Sequence, residues 1–226
     1  MGKMRLREGG TLPHDDTFIV EAFDSTISYL EEIGSGQMWG SQPFSEKEGF
    51  VEETAKDVRT SEKYRTTGEG DALRVFLAEV VVEPSAMPLS NSTTQPPGPR
   101  YWAADDGTRM ISVGRCSSAR IGYLNMSSLS FTSMLSAPSW RETRGSGEAL
   151  VRKAKDYGLE KGMKALYVDA WAGNGRRLVE FYEKQGFSIV SDFEMKRANG
   201  TIWQGTLLRA ELEGLKRDID SKGNEE

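Results

Sequence analysis

The chain carries a single cysteine, Cys116, and a single histidine, His14, among 226 residues. A lone cysteine forms no intramolecular disulfide, and one Cys with one His falls short of the ligand set of a structural zinc site, so no metal is expected. Long apolar runs are also missing. Nowhere do about 18 apolar residues follow one another, as a membrane-spanning helix requires, and the opening MGKMRLREGGTLPHDD lacks the apolar core of a secretory signal. Basic charge is in the minority, 29 Lys and Arg against 34 Asp and Glu for a net charge of -5. Without clustered cations a nucleic acid is not an expected partner. These absences predict a soluble, cytoplasmic chain with neither a membrane nor a nucleic-acid partner, and they leave homodimerisation open. The hydrophobic share, 37%, suffices to close a sizeable core at this length.

The pattern along the chain predicts mixed helix and strand. KMRLRE, residues 3–8, alternates as a short strand. In TFIVEAFDSTISYLEEIG, Ile19, Ala22, Phe23, Ile27, Leu30 and Ile33 fall three and four apart, predicting one helix capped by Asp15 or Asp16 and closed by Gly34. A second helix follows, with Ser45 and Glu48 as a capping box and Phe50, Val51, Thr54 and Val58 as its buried side. The loop between them, 34–44, holds Trp39 and Phe44 and is more apolar than a solvated turn needs; these rings line a pocket or simply pack into the core. DALRVFLAEVVVE, 71–83, reads as a strand buried on both faces. The Pro/Ser-rich segment 84–100 reads as an exposed insertion. TRMISVGRCSSARIGYL and SLSFTSMLSAPSW predict two further strands. One domain is expected over 1–215, with a charged tail at 216–226.

Two glycine stretches of nearly equal composition, GEGDAL at 68–73 and GSGEAL at 145–150, differ in context. The first leads into a strand. The second follows a predicted strand and opens a helix striped by Leu150, Val151, Ala154 and Tyr157. Strand, glycine loop, helix is the order that aims the unpaired amides of a helix's first turn at an anion, with glycine letting a phosphate approach the main chain. GSGEAL lacks the third glycine of a dinucleotide fingerprint, and no phosphate loop of the G-x-x-x-x-G-K-[ST] type occurs.

Arg144, Gly147 and Ala149 spell R-x-x-G-x-A, and the strand ALYVDAW is followed by Asn174 and FYEKQGF, 181–187. Together, in this order, these features resemble the GCN5-related N-acetyltransferases over roughly residues 131–187, and the earlier order of elements extends the likeness from residue 3 to about 210. The resemblance implies an α/β acyl-CoA N-acyltransferase fold, a mixed and strongly bent sheet flanked by helices. It implies acetyl-CoA as the acetyl donor and direct transfer to an amine.

By the same resemblance, Met134, Leu135 and Ser136 pair through their main chain with the pantetheine arm. Arg144, Gly145, Ser146, Gly147, Glu148 and Ala149 hold the diphosphate, Asn174 hydrogen-bonds the pantetheine region, and Tyr182 protonates the departing thiolate. A helix cap for Asn174 and a core aromatic for Tyr182 remain alternatives. The strand before the glycine loop has no acid, so the general base falls to Glu79 or Asp169, acting directly or through water, unless both are structural carboxylates. Trp39, Phe44 and Phe131 would shape the acceptor site. A small-molecule amine, such as a toxic or antibiotic amine, is the expected acceptor. A protein amine, a non-catalytic acyl-CoA-binding module and a nucleotide-binding protein stay open.

Overall fold

In the computed structural model, residues 4–32, 34, 36–81, 101–103, 109–118, 123–124, 145–197 and 200–212 are described. The expected insertion 84–100, the strand SLSFTSMLSAPSW and the tail 216–226 lie outside them. Strand β1 is Met4–Glu8, and it is followed by helices α1 (Asp15–Asp24), α2 (Ile27–Glu32), α3 (Gly36–Trp39) and α4 (Phe50–Thr67). Next come strands β2 (Arg74–Val81), β3 (Tyr101–Ala103), β4 (Arg109–Ser118) and β5 (Tyr123–Leu124). Helix α5 (Ser146–Glu160), β6 (Ala165–Trp171), α6 (Arg177–Lys184), β7 (Ser188–Lys196) and β8 (Ile202–Glu211) complete the order.

The strands form two four-stranded sheets, ordered β1-β2-β4-β3 and β5-β6-β8-β7. All pairs are antiparallel except β5 with β6. Strands β4 and β5 are neighbours yet belong to different sheets, so the strand layer divides between them. One core nevertheless spans both sheets: Phe76, Ala78 and Val80 of β2 share it with Leu166, Val168 and Ala170 of β6, under Leu150, Val151, Ala154 and Tyr157 of α5. The alternate residues Val75 and Leu77 face α1 and α4 in a second cluster with Phe18, Ile19 and Val58. Strand β2 is therefore covered on both sides, as its unbroken apolar run predicts.

Three local expectations are corrected. The first predicted helix is broken after Asp24, where the Ser25 hydroxyl donates to the Ala22 carbonyl (2.9 Å) and the Thr26 hydroxyl to that of Phe23 (2.6 Å). Side chains that bond back to the preceding turn compete with continued helix. Asp15 does not cap α1; it turns instead to Arg7 and to the amides of Gly10 and Leu12. Ser45 forms no capping box, because α4 starts at Phe50 after Gly49 (φ 76°), and Val51 is 41% exposed.

Helices α5 and α6 are pinned together by Lys155, whose ammonium donates to the Gln185 carbonyl at the end of α6 and lies 4.9 Å from the centre of the Phe187 ring. Burial pushes this lysine's pKa down, while the carbonyl-rich helix end favours the cation. Lys155→Met keeps the stem and removes the donor. It is expected to cost about 1–2 kcal/mol, read as a drop of about 2–8 °C in thermal midpoint for a chain of this size.

Candidate active site

Helix α5 opens on Gly145, whose φ of 91° is one that residues with a side chain rarely adopt. The first helical bond runs from the Ala149 amide to the Gly145 carbonyl (2.9 Å), so the amides of Ser146, Gly147 and Glu148 precede the ladder and point out of the helix end. Ser146, Gly147 and Ala149 are buried and Glu148 is exposed. Among the described residues, a Cβ placed on Gly145 would meet nothing within 4 Å. A glycine at the turn and a 15-residue helix behind it suit a diphosphate. Arg144 lies outside the described residues, as do Met134, Leu135, Ser136 and Phe131.

The turn after β6 departs from expectation. Asn174 is not a side-chain cap of α6; Asn174, Gly175 and Arg176 are all left-handed, with φ of 51°, 62° and 61°. They make a single left-handed turn closed by the Arg176 amide on the Gly173 carbonyl (3.1 Å). A residue with a side chain pays roughly 1–2 kcal/mol to sit there, a cost asparagine bears better than arginine. Gly173, which begins the turn, lies against the Trp171 ring: a Cβ there would stand 2.1 Å from it, so any larger residue would require the indole to shift. The Asn174 carbonyl oxygen Oδ1 faces Gly34, 3.8 Å from where a Cβ on that glycine would stand. The turn therefore borders the segment joining α2 to α3.

Tyr182 is fully buried, packed edge-on to Phe181 (5.1 Å between centroids) and Phe187 (5.7 Å). The FYEKQGF motif sets this up. Gly186 turns left-handed (φ 78°), and the amides of Gln185 and Phe187 both donate to the Tyr182 carbonyl, at 2.9 and 3.1 Å. The end of α6 thus folds Phe187 back onto the tyrosine ring.

The two candidate bases sit in different surroundings. Glu79 is 0% exposed, and its Oε1 accepts from Arg7 Nε at 2.6 Å while Arg5 lies 3.4 Å from Oε2. The same Arg7 makes a two-pronged pair with Asp15, both contacts 2.7 Å. Burial works against the Arg7 cation, but Asp15 and then Glu79 outweigh it and hold the guanidinium above its ordinary range. Glu79 is thus committed to a buried guanidinium. Asp169 lies on β6 between Val168 and Ala170, which join the core under α5 and α6; strand alternation puts Asp169 on the opposite face, where it is half-buried.

On the expected acceptor side, Phe44 is a core residue, 4% exposed, its ring within 5.0 Å of Phe23 and Phe50. Trp39 is half-buried at the rim of this cluster, 5.8 Å from Phe44. Sequence reasoning missed Lys47, whose ammonium donates to the Trp39 carbonyl (2.9 Å) and sits 3.6 Å over the Phe44 ring. Burial and then Arg197 push its pKa down, with Asp24 opposing. Arg197 lies just past β7, 150 residues away in sequence, so no local signal could have paired the two. Among the described residues, no His/Cys/Asp/Glu group could hold a metal and no helix is long and apolar enough to cross a membrane.

The sequence matches no family profile and no curated protein. Solved structures do match. A chimera of the Vibrio cholerae spermidine N-acetyltransferase SpeG with hSSAT aligns at TM-score 0.51 and 18% identity, over 93% of this chain and 96% of that one. SpeG from Vibrio cholerae in complex with CoA and spermine aligns at 0.50 and 14%, over 93% and 96%. An acetyltransferase candidate from Acinetobacter baylyi ADP1 aligns at 0.51 and 13%, over 94% and 95%. At such identities the likeness speaks for architecture, and it agrees with the divided sheet, the glycine-led α5 and the β6–α6 turn: the chain has the acyl-CoA N-acyltransferase fold of the GCN5-related N-acetyltransferases.

Proposed function

We propose that the protein transfers an acetyl group from acetyl-CoA directly to an amine of a small molecule. The observation that carries this reading is the glycine-led start of α5, where the amides of Ser146, Gly147 and Glu148 precede the helical ladder, in a fold whose solved examples include a spermidine N-acetyltransferase in complex with CoA and spermine. The amides of Ser146, Gly147 and Glu148, with Arg144, would hold the diphosphate, and Asn174 the pantetheine region. The donor supplies an activated thioester: the amine nitrogen bonds to its carbonyl carbon, the carbon–sulfur bond breaks, and CoA leaves as a thiol.

Two proton movements fall to the chain. An alkyl amine with a pKa near 10.4 costs about 4.6 kcal/mol to deprotonate at pH 7, and Asp169, directly or through one water, is the acceptor not already committed to a buried cation. Tyr182 approaches from the opposite side of β6 and gives its phenolic proton to the thiolate; a phenol near pKa 10 and a thiol near 8.5 make the transfer feasible. Trp39, with Lys47 behind it, borders the acceptor's entry.

The reading is tested by offering acetyl-CoA with a broad panel of amines and measuring thiol release and product mass. Acetyl-CoA binding without thiol release above background for any amine would leave only a CoA-binding module. Gly147→Val, placing a branched side chain at the helix start, is expected to weaken acetyl-CoA binding by at least about tenfold in calorimetry. Its circular dichroism should remain that of the parent.

A further inference from the structure

The left-handed turn at 174–176 is held from outside. Arg176 Nη1 and Nη2 donate to the two oxygens of Asp192 on β7, at 3.3 and 3.1 Å. Asp192 in turn accepts from the Thr206 hydroxyl on β8 at 2.6 Å, across the β7–β8 register that places these residues opposite each other. Thr206 is fully buried, whereas the Asp192 side chain is 61% exposed. The carboxylate is thus oriented by one fixed hydroxyl and one guanidinium. An exposed ion pair by itself is worth little. This one differs in three respects: it is two-pronged, its acid is anchored to the core through Thr206, and its base grows from a non-glycine residue with a φ of 61°. Thr206 first and then Arg176 hold the Asp192 carboxyl below the usual carboxylate range, in keeping with an acid engaged by both.

The connection runs from β8 through Asp192 to the Arg176 backbone, and two residues earlier the same turn carries Asn174. We propose that Asp192 is a positioning residue that, through Arg176, holds the left-handed turn and so presents the Asn174 amide to acetyl-CoA. This rests on the acetyltransferase reading above. Strained backbone persists where its surroundings over-determine it, and such sites cluster where geometry matters for binding. The pair also spans β7 and the start of α6.

The full chain is used for the test, with two readouts. In Asp192→Ala, amide hydrogen exchange in peptides covering 173–177 of the ligand-free protein is expected to quicken, and the acetyl-CoA Kd to rise about five- to tenfold. Asp192→Asn, which still accepts from Thr206, should fall between. Arg176→Gly removes the conformational need for a brace, so adding Asp192→Ala to it should change neither readout by more than about twofold. Unchanged exchange in Asp192→Ala overturns the positioning role, as does faster exchange with an unaltered Kd, or an Asp192→Ala effect of equal size in the Arg176→Gly background. A wild-type protein that binds no acetyl-CoA overturns the acetyltransferase reading and the presentation of Asn174 with it, while leaving the exchange result to report on the brace alone.

Discussion

Tyr182→Phe is expected to lower kcat by about 10²- to 10⁴-fold, the span of a lost general acid, while the acetyl-CoA Kd stays near that of the parent. The expectation rests on what the substitution leaves behind. The ring keeps its edge-on contacts with Phe181 and Phe187, and the main-chain bonds that fold the end of α6 onto residue 182 do not involve the side chain. Only the oxygen is lost. Tyr182→Ala would be uninformative, because emptying a fully buried aromatic site costs about 3–5 kcal/mol and would disturb the core shared by α5, α6 and β6. Steady-state kinetics with the best amine of the panel, alongside a thermal midpoint, checks the prediction. A Tyr182→Phe enzyme with unaltered kcat and midpoint would assign the tyrosine to the core alone.

Arg7→Met is expected to produce the largest loss of stability. Arg7 is the shared partner of two buried carboxylates, Asp15 at 3% exposure and Glu79 at 0%, and it ties β1 to both α1 and β2. Removing one member of a buried ionic group leaves uncompensated charge, at about 3–5 kcal/mol. For a chain of this length that is a fall of about 6–20 °C in thermal midpoint. Arg5, 3.4 Å from Glu79, and the Gly10 and Leu12 amides on Asp15 keep the figure from rising further. Denaturant unfolding of Arg7→Met, Glu79→Leu and the double variant gives the coupling. The double variant should recover part of the loss, because it no longer buries a glutamate stripped of its main partner. Additive losses in the double variant would mean that Arg7 and Glu79 are not coupled.

The Arg7 prediction bears on the two candidate bases. The sequence offers Glu79 and Asp169 on equal terms, each an acid within a strand. Their surroundings separate them: β1 brings Arg7 to Glu79 from 72 positions away, whereas Asp169 is on the face of β6 turned away from α5 and α6. The acceptor side shows the same division. Trp39 and Phe44 read alike as aromatics in an apolar loop, yet one is half-buried at the rim and the other is the centre of a cluster of rings.

What the sequence by itself determined is whatever is written in local periodicity and turn chemistry. ALYVDAW is β6 to the residue. The stripe Leu150, Val151, Ala154, Tyr157 is the buried side of α5. The apolar run in 71–83 is a strand covered on both faces, and Gly34 and Gly186 end their helices with positive φ. Each depends on neighbours within about four positions along the chain. The tertiary structure alone decided the commitment of Asp15 and Glu79 to Arg7 and the pairing of Arg176, in its left-handed turn with Asn174, with Asp192. These are outcomes of competition between a local preference and a partner brought from far along the chain. A charged group leaving water accepts an unfavourable local geometry when the partner it meets there is charged, fixed and correctly aimed.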